Sequence, residues 1–309
     1  MKAFYSDHFV LPLPPGHRFP MSKYRLLREK VALCNDLELI EAHAATDAQI
    51  LLAHDPRYLQ RVIRGELTAK EQREIGFPWS QAMVERSRLS AGATIGACRT
   101  ALKEGVSLNL AGGTHHAYRD HGSGFCIFND AAIAARVIQK ETKARVQVAI
   151  IDLDVHQGDG SAAILQNDPS IFTLSLHGEK NYPFHKQLSD LDVALPDGCG
   201  DDDYLGQLAQ ALDELEQRFR ADFLIYLAGA DPHESDRLGR LKLTRSGMQA
   251  RDEFVMNFAK GKGLPIAIAM AGGYNTEIQT IVDIHFQTVK IAAQMYSSTQ
   301  PFCNRILSS

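Results

Sequence analysis

The sequence predicts one α/β domain, a mainly parallel sheet flanked by helices. Three observations predict it. Short β-rich runs alternate with longer helical runs along the 309 residues, the pattern of strands linked by covering helices. Several of the β-rich runs are continuously apolar, as strands buried on both faces of a parallel sheet are. No internal repeat or low-complexity linker divides the chain, although its length would also allow two ordinary domains.

The elements follow in order. Residues 2–5 read as a first strand and residues 23–35 as a helix. Residues 68–79 are charged and carry Gly76 and Pro78, so they read as a solvated loop. A long helix is predicted over 81–104, then a strand over 106–110 and a helix over 131–142. The apolar runs 146–153 and 171–176 read as buried strands. A helix over 204–219 leads to a strand over 223–228, and a helix over 246–260 leads to a strand over 265–271. A helix over 276–296 follows.

Composition narrows the function. With 45% hydrophobic and 23% charged residues, the chain is an ordinary globular one, long enough to bury a core without covalent help. Its cysteines (Cys34, Cys98, Cys126, Cys199 and Cys303) are odd in number and form no C-x-x-C pair. Neither a disulfide framework nor a thiolate metal site is indicated, which suits a reducing cytoplasm. The first ten residues carry Asp7 and His8 and no apolar run, so they do not read as a secretory signal. The longest apolar runs, such as 264–271, are too short to span a bilayer. A net charge of −4 offers no basic field for direct nucleic-acid binding.

Polar residues gather just after the strands. Gly112-Gly113-Thr114-His115-His116 follows one, Asp152-Leu153-Asp154-Val155-His156 ends another, and Ala230-Asp231 and Ala271-Gly272-Gly273-Tyr274 follow two more. Ligands of open α/β sheets bind beyond the carboxyl ends of the strands. In an extended segment Asp152, Asp154 and His156 share one face. Three ionisable groups on one side of a buried strand are costly without a cation or tight pairing. Together with Asp231 they are four candidate ligands for a divalent ion, with positions left open for catalysis. Such oxygen-rich ligation suits zinc and also accepts iron(II) or manganese(II). Alternatively, Asp154 and His156 cap the following helix.

These segments, with Gly124-Phe125-Cys126, Gln157-Gly158-Asp159-Gly160, Asp236 and Gly239, resemble the zinc-dependent histone deacetylase family in order and spacing. Residues 15–24, from Pro15 and Gly16 through His17 to Tyr24, look like that family's opening. The stretch from Asp231 to Gly239 looks closest to its class IV and bacterial branch. The resemblance covers nearly the whole chain and implies one catalytic domain over 1–309 with the arginase/deacetylase fold, built around an eight-stranded sheet. It implies zinc on Asp154, His156 and Asp231, and moves Asp152 out to orient His115. It makes His116 the general base and acid, oriented by Asp159, with His115 assisting electrostatically. Tyr274 would donate to the oxyanion, its glycines letting the ring swing in and out. Gly124 and Phe125 would line a narrow acyl-lysine channel, with Tyr182 or Phe184 as a second wall, and Cys126 would be a packing residue. A structural potassium or sodium ion would lie at Asp152, Asp154, His156, Ser175 and Leu176, held largely by backbone carbonyls.

The expected activity is therefore hydrolysis of an acyl amide, N-acyl-lysine or a small acetylated amine such as an acetylpolyamine. The loop 75–80 has no Asp where classical lysine deacetylases carry one on the rim. Phe77 and Trp79 there suggest an apolar rim suited to longer acyl groups. A two-manganese guanidino- or ureohydrolase would want more carboxylates, and an inactive scaffold would lack some of the histidines, ligands or tyrosine present here.

Overall fold

The computed structural model describes residues 1–7, 11, 13–14, 16–142 and 146–297; His8, Pro15 and Cys303 lie outside the described residues. The strands in chain order are β1 (Lys2–Tyr5), β2 (Glu38–Glu41), β3 (Val106–Asn109), β4 (Val148–Asp152), β5 (Ile171–Gly178), β6 (Leu191–Leu195), β7 (Phe223–Leu227) and β8 (Ile266–Ala269). They form one eight-stranded sheet in the order β2-β1-β3-β8-β7-β4-β5-β6, and every pairing is parallel.

The central strands β3, β4, β5, β7 and β8 are buried throughout. Alternate residues of β4 feed two cores on opposite faces of the sheet. Val148 and Ile150 join the core that includes Ile95 and Ile133. Ala149 and Ile151 join the one that includes Leu208, Val255 and Val289. The helices supplying these residues are α5 (Gln81–Glu104) and α6 (Asp130–Glu141) on one face, and α8 (Asp201–Arg218), α9 (Arg245–Lys262) and α10 (Ile278–Ser297) on the other. The remaining helices are α1 (Lys23–Val31), α2 (Asp47–Ile50), α3 (Pro56–Arg64), α4 (Ala69–Ile75) and α7 (Asp159–Leu165).

Three differences from the sequence expectation have clear causes. Two strands, β2 and β6, carry no strand signal in the sequence. Both are sheet edges, and their sequences, Glu38-Leu39-Ile40-Glu41 and Leu191-Asp192-Val193-Ala194-Leu195, keep polar or half-exposed residues as edges require. The helix expected over 23–35 ends at Val31, because the N–H groups of Leu33 and Cys34 bond only three residues back, to Lys30 and Val31 at 3.3 and 3.0 Å, the tighter turn that closes a helix. And residues 68–79 are not a loop, since they begin with α4. Thr68 accepts from the Glu71 N–H at 3.3 Å while the Glu71 carboxylate accepts from the Thr68 N–H at 2.8 Å, a reciprocal capping box. Gly76 then ends the helix with φ 81°, a left-handed turn natural to glycine.

Because all strands run parallel, their carboxyl ends share one edge. The four polar stretches follow β3, β8, β7 and β4, which are consecutive neighbours in the sheet. Topology alone thus gathers four segments distant in sequence.

Candidate active site

Asp154, His156 and Asp231 converge, with one ligand atom of each lying within 4.8 Å of the others. All three are buried. His156 Nδ1 lies 2.9 Å from Asp154 Oδ1 and 3.4 Å from Asp231 Oδ2. The second oxygen of Asp154 accepts from the Gly272 N–H at 2.8 Å. Asp231 Oδ1 accepts from the Val155 N–H at 2.9 Å. Asp231 Oδ2 is buried without any hydrogen-bond partner, a costly condition for a carboxylate. Gly272 is required here, because a Cβ would collide with both carboxylates.

The electrostatics point the same way. Burial and the neighbouring Asp154 push the Asp231 pKa up to about 7. Burial opposes charge on His156, but Asp154 and Asp231 outweigh it and raise its pKa to about 10. Two carboxylates this close in a dry site resist ionising together, a cost that a cation between them would relieve. An orphaned oxygen, a cradle shaped by glycine and an Asp-His-Asp donor set together fit a divalent ion.

The turn after β3 carries two histidines with ring centroids 4.1 Å apart. His115 Nδ1 lies 2.7 Å from Asp152 Oδ2, and His116 Nδ1 lies 2.6 Å from Asp159 Oδ1. Asp152 is thus engaged with His115 and lies outside the three-residue cluster. Burial opposes charge on His115, but Asp152 and Asp154 overcome it and push its pKa up to about 9. Burial and the charge on His115 push His116 down to about 4. The two imidazoles are therefore driven apart, as neighbouring sites that compete for charge should be.

Tyr274 is buried, with its ring centroid 6.1 Å from that of His156 and 5.8 Å from that of Phe125. The loop carrying it is tied down. The Tyr274 N–H donates to Asp236 at 2.6 Å and its carbonyl accepts from Arg237 at 2.8 Å. The buried Lys23 ammonium donates to the carbonyls of Ala271 and Gly273 at 3.2 and 3.3 Å. The glycines expected to let the ring swing are here points of close approach in a loop bonded on both sides.

A cavity of about 340 Å³ leads to the site, lined by His116, Gly124, Phe125, His156, Tyr182, Leu238 and Tyr274 among others. Tyr182 stands edge-on to His116 at 4.9 Å, and its hydroxyl bonds Ser123. Phe184 also lines the cavity and is exposed. Gly124 has φ 51° and lies against the His116 ring, where a Cβ would clash. Phe77 and Trp79 do not form the rim expected of them. Phe77 is buried behind Phe125, ring centroids 5.3 Å apart, and Trp79 turns away to donate to the Val62 carbonyl at 2.7 Å. His17 bonds the Gly76 carbonyl at 2.9 Å. Burial raises the Cys126 thiol well above its ordinary pKa, which suits packing rather than nucleophilic attack. Ser175 pairs with Asp152 across β4 and β5, and Leu176 is the next residue of the same strand.

Several contributors escaped the sequence reading. Asp130 accepts from the N–H groups of Gly113 and Thr114 at 3.0 and 2.7 Å and so shapes the turn that presents the histidines. Asn129 holds the carbonyls of His115 and Ala117 at 3.3 and 3.1 Å. Tyr118 donates to the second oxygen of Asp159 at 2.8 Å. The signal for Asn129 and Asp130 was a polar pair opening an apolar helix, which reads as a simple cap.

A parallel sheet whose adjacent strand ends bear a buried Asp-His-Asp cluster, two His–Asp pairs and a tyrosine defines a deacetylase-type hydrolase of the arginase/deacetylase superfamily. The histone deacetylase domain matches residues 17–289, and the chain belongs to the histone deacetylase family. It is 42% identical over 295 residues to an uncharacterized protein of Picosynechococcus sp., covering 94% of this chain and 98% of that one. Histone deacetylase 2 of Arabidopsis thaliana is 30% identical, with 84% and 70% covered. The acetoin utilization protein AcuC of Bacillus subtilis is 32% identical, with 78% of this chain and 66% of that protein covered. A crystal structure of a histone deacetylase homologue complexed with SAHA superposes with a TM-score of 0.80 at 25% identity, covering 97% and 85%. Among the described residues no helix is long and apolar enough to cross a membrane.

Proposed function

We propose that the protein is a zinc-dependent N-acyl-amide hydrolase acting on acylated lysine. The observation that carries this reading is the pair of buried histidines, each tied through Nδ1 to its own aspartate, beside a cluster with an orphaned carboxylate oxygen. Asp154, His156 and Asp231 would hold the zinc, and the same donors would accept iron(II). Such an ion, when bound, acidifies a water and polarises a carbonyl.

The protein's own groups do the rest. The Asp159 carboxylate accepts the His116 Nδ1–H, which leaves Nε2 as the base that takes a proton from the attacking water and returns it to the leaving amine. His115, held by Asp152, supplies a neighbouring positive charge. The Tyr274 hydroxyl donates to the oxyanion that develops on the scissile carbonyl. Gly124 and Phe125 pack the aliphatic stem of the acylated amine, opposite Tyr182. A potassium or sodium ion on the carbonyls of Asp152, Asp154, His156, Ser175 and Leu176 would stiffen the segment that presents the ligands. The whole of 1–309 forms the catalytic unit, and the free thiols of Cys34, Cys98, Cys126 and Cys199 support a cytoplasmic setting.

The test is hydrolysis of a fluorogenic acetyl-lysine substrate by zinc-loaded protein, with and without a hydroxamate chelator. Turnover abolished by the chelator, and reduced about 10²–10³-fold by Tyr274→Phe, is expected. Absence of turnover on any acyl amide, or His116→Ala retaining full rate, would sink the reading.

A further inference from the structure

We infer that the site selects acylated amines that carry a carboxylate beside the acyl-bearing chain, and disfavours polycationic ones. This rests on the deacylase reading above. The inner cavity is formed by His116, Gly124, Phe125, Tyr182 and Leu238, surfaces suited to an uncharged acyl chain. Its outer lining is different, with Arg18, Lys180 and Arg240 against a single acid, Glu74. The chain as a whole carries a net charge of −4, so this is a local reversal of sign.

Pairing does not cancel it. Lys180 and Arg240 share one carboxylate, Asp197, at 4.0 and 3.1 Å. Glu74 is itself drawn to Lys70, 3.8 Å away. The Arg18 side chain is exposed and has no carboxylate within ion-pair distance among the described residues. Its backbone carbonyl takes a hydrogen bond from Arg237, whose guanidinium bonds only this carbonyl and that of Tyr274 among the described residues. Three cations of the lining thus stand against Glu74 and the shared Asp197, with Arg237 beside Arg18.

A substrate threads its acyl chain inward, so whatever its amine-bearing portion carries is left at this rim. A carboxylate there is attracted and a second ammonium repelled. Exposed rim charges act chiefly on association and on salt dependence, and they discriminate partly by repulsion. Two sources supply the preferred group, the α-carboxylate of a free Nε-acyl-lysine or acidic residues flanking an acyl-lysine in a peptide.

The experiment measures kcat/KM of zinc-loaded protein on matched pairs: Nε-acetyl-lysine as free acid and as α-amide, an acetyl-lysine peptide flanked by Asp or by Lys, and an acetylated polyamine. The acidic member of each pair is expected to lead by about two- to five-fold per favourable charge at low salt, with the polyamine slowest and the gap narrowing as salt is added. The free-acid pair and the peptide pair separate the two sources. Arg18→Glu and Lys180→Glu should invert the ratio within a pair, with Arg240→Gln as a milder variant should either fail to fold. Calorimetric binding of the same pairs to zinc-loaded His116→Ala should show the same order without turnover. Equal rates within both pairs, or a preference for the cationic members, would overturn the inference while leaving the deacylase reading standing. No turnover on any member would overturn both.

Discussion

Arg86 is the residue least expected from sequence. It is 9% exposed, and among the described residues its guanidinium meets no carboxylate or carbonyl. It lies instead over the rings of Phe19, Tyr24 and Phe77 at 5.4, 5.1 and 6.0 Å, beside a cavity of about 490 Å³. Ring faces return about 2 kcal/mol or more for a desolvated cation, set against a desolvation cost of several kcal/mol for the ion, and replacing buried charge by apolar groups of similar volume is often stabilising. Arg86→Met should therefore raise stability by about 1 kcal/mol in denaturant titration; a loss of that size would show that the charge itself holds the three rings together. His54 makes the opposite point. Burial pushes its pKa down to about 4, below the ordinary value of 6.5, while its Nε2 accepts from the Asn129 N–H at 2.9 Å. A histidine held neutral in the fold contributes stability that is present above about pH 6.5 and is lost as pH falls toward 4. The contribution is up to about 3 kcal/mol. Melting temperature should fall with acid over that range, and His54→Gln should flatten the slope. Neither role was visible in the chain, because an Arg near the start of a helix and a lone His look like solvated residues until packing is known.

The element with the largest effect on the site, relative to its size, is α4. In sequence it reads as a loop because seven residues, Ala-Lys-Glu-Gln-Arg-Glu-Ile, are too few and too charged to show an apolar face. Its ends carry the information instead. The capping box at Thr68 starts it, and the carbonyls of Glu74 and Ile75 accept from the N–H groups of Gly124 and Phe125 at 3.0 and 2.7 Å. The channel wall therefore hangs on the last turn of this helix. At Gly76 a Cβ would lie 2.8 Å from the Phe125 ring, on top of the strain of φ 81°. Gly76→Ala should displace Phe125 and raise KM for acetyl-lysine several-fold more than it lowers kcat. Thr68→Ala should cost about 1 kcal/mol with a smaller shift in KM. Equal KM values for Gly76→Ala and the parent protein would show that Phe125 does not shape the channel. The long α5 contrasts with α4: its limits were readable to the residue, because Ser80 accepts from the Met83 N–H at 3.1 Å and Gly105 follows its last turn.

For the whole molecule, the central strands and the four catalytic stretches were legible, because burial on both faces writes apolar runs and chemistry writes polar interruptions at their ends. Strand order was not. Nothing in the chain says that β3 and β8 are neighbours, though they are separated by more than 150 residues, and only that adjacency brings the histidine pair beside Tyr274. The same convergence has an energetic consequence. Asp154 and Asp231 approach each other in a buried site, so the protein without its ion carries repulsion and an unpartnered oxygen. An ion that binds the folded chain and not the unfolded one stabilises it by about 2.7 kcal/mol at a hundred times its Kd. That corresponds to a rise of about 5 °C in melting temperature for a chain of this size. Titrating zinc into chelator-treated protein should produce this rise, saturating with occupancy. In Asp231→Asn the repulsion is already relieved, so the ion-free melting temperature should lie above that of the ion-free parent while the response to zinc is largely lost. If the parent shows no zinc-dependent rise, or if Asp231→Asn responds as the parent does, these residues are not the metal's ligands, whatever the enzyme turns over.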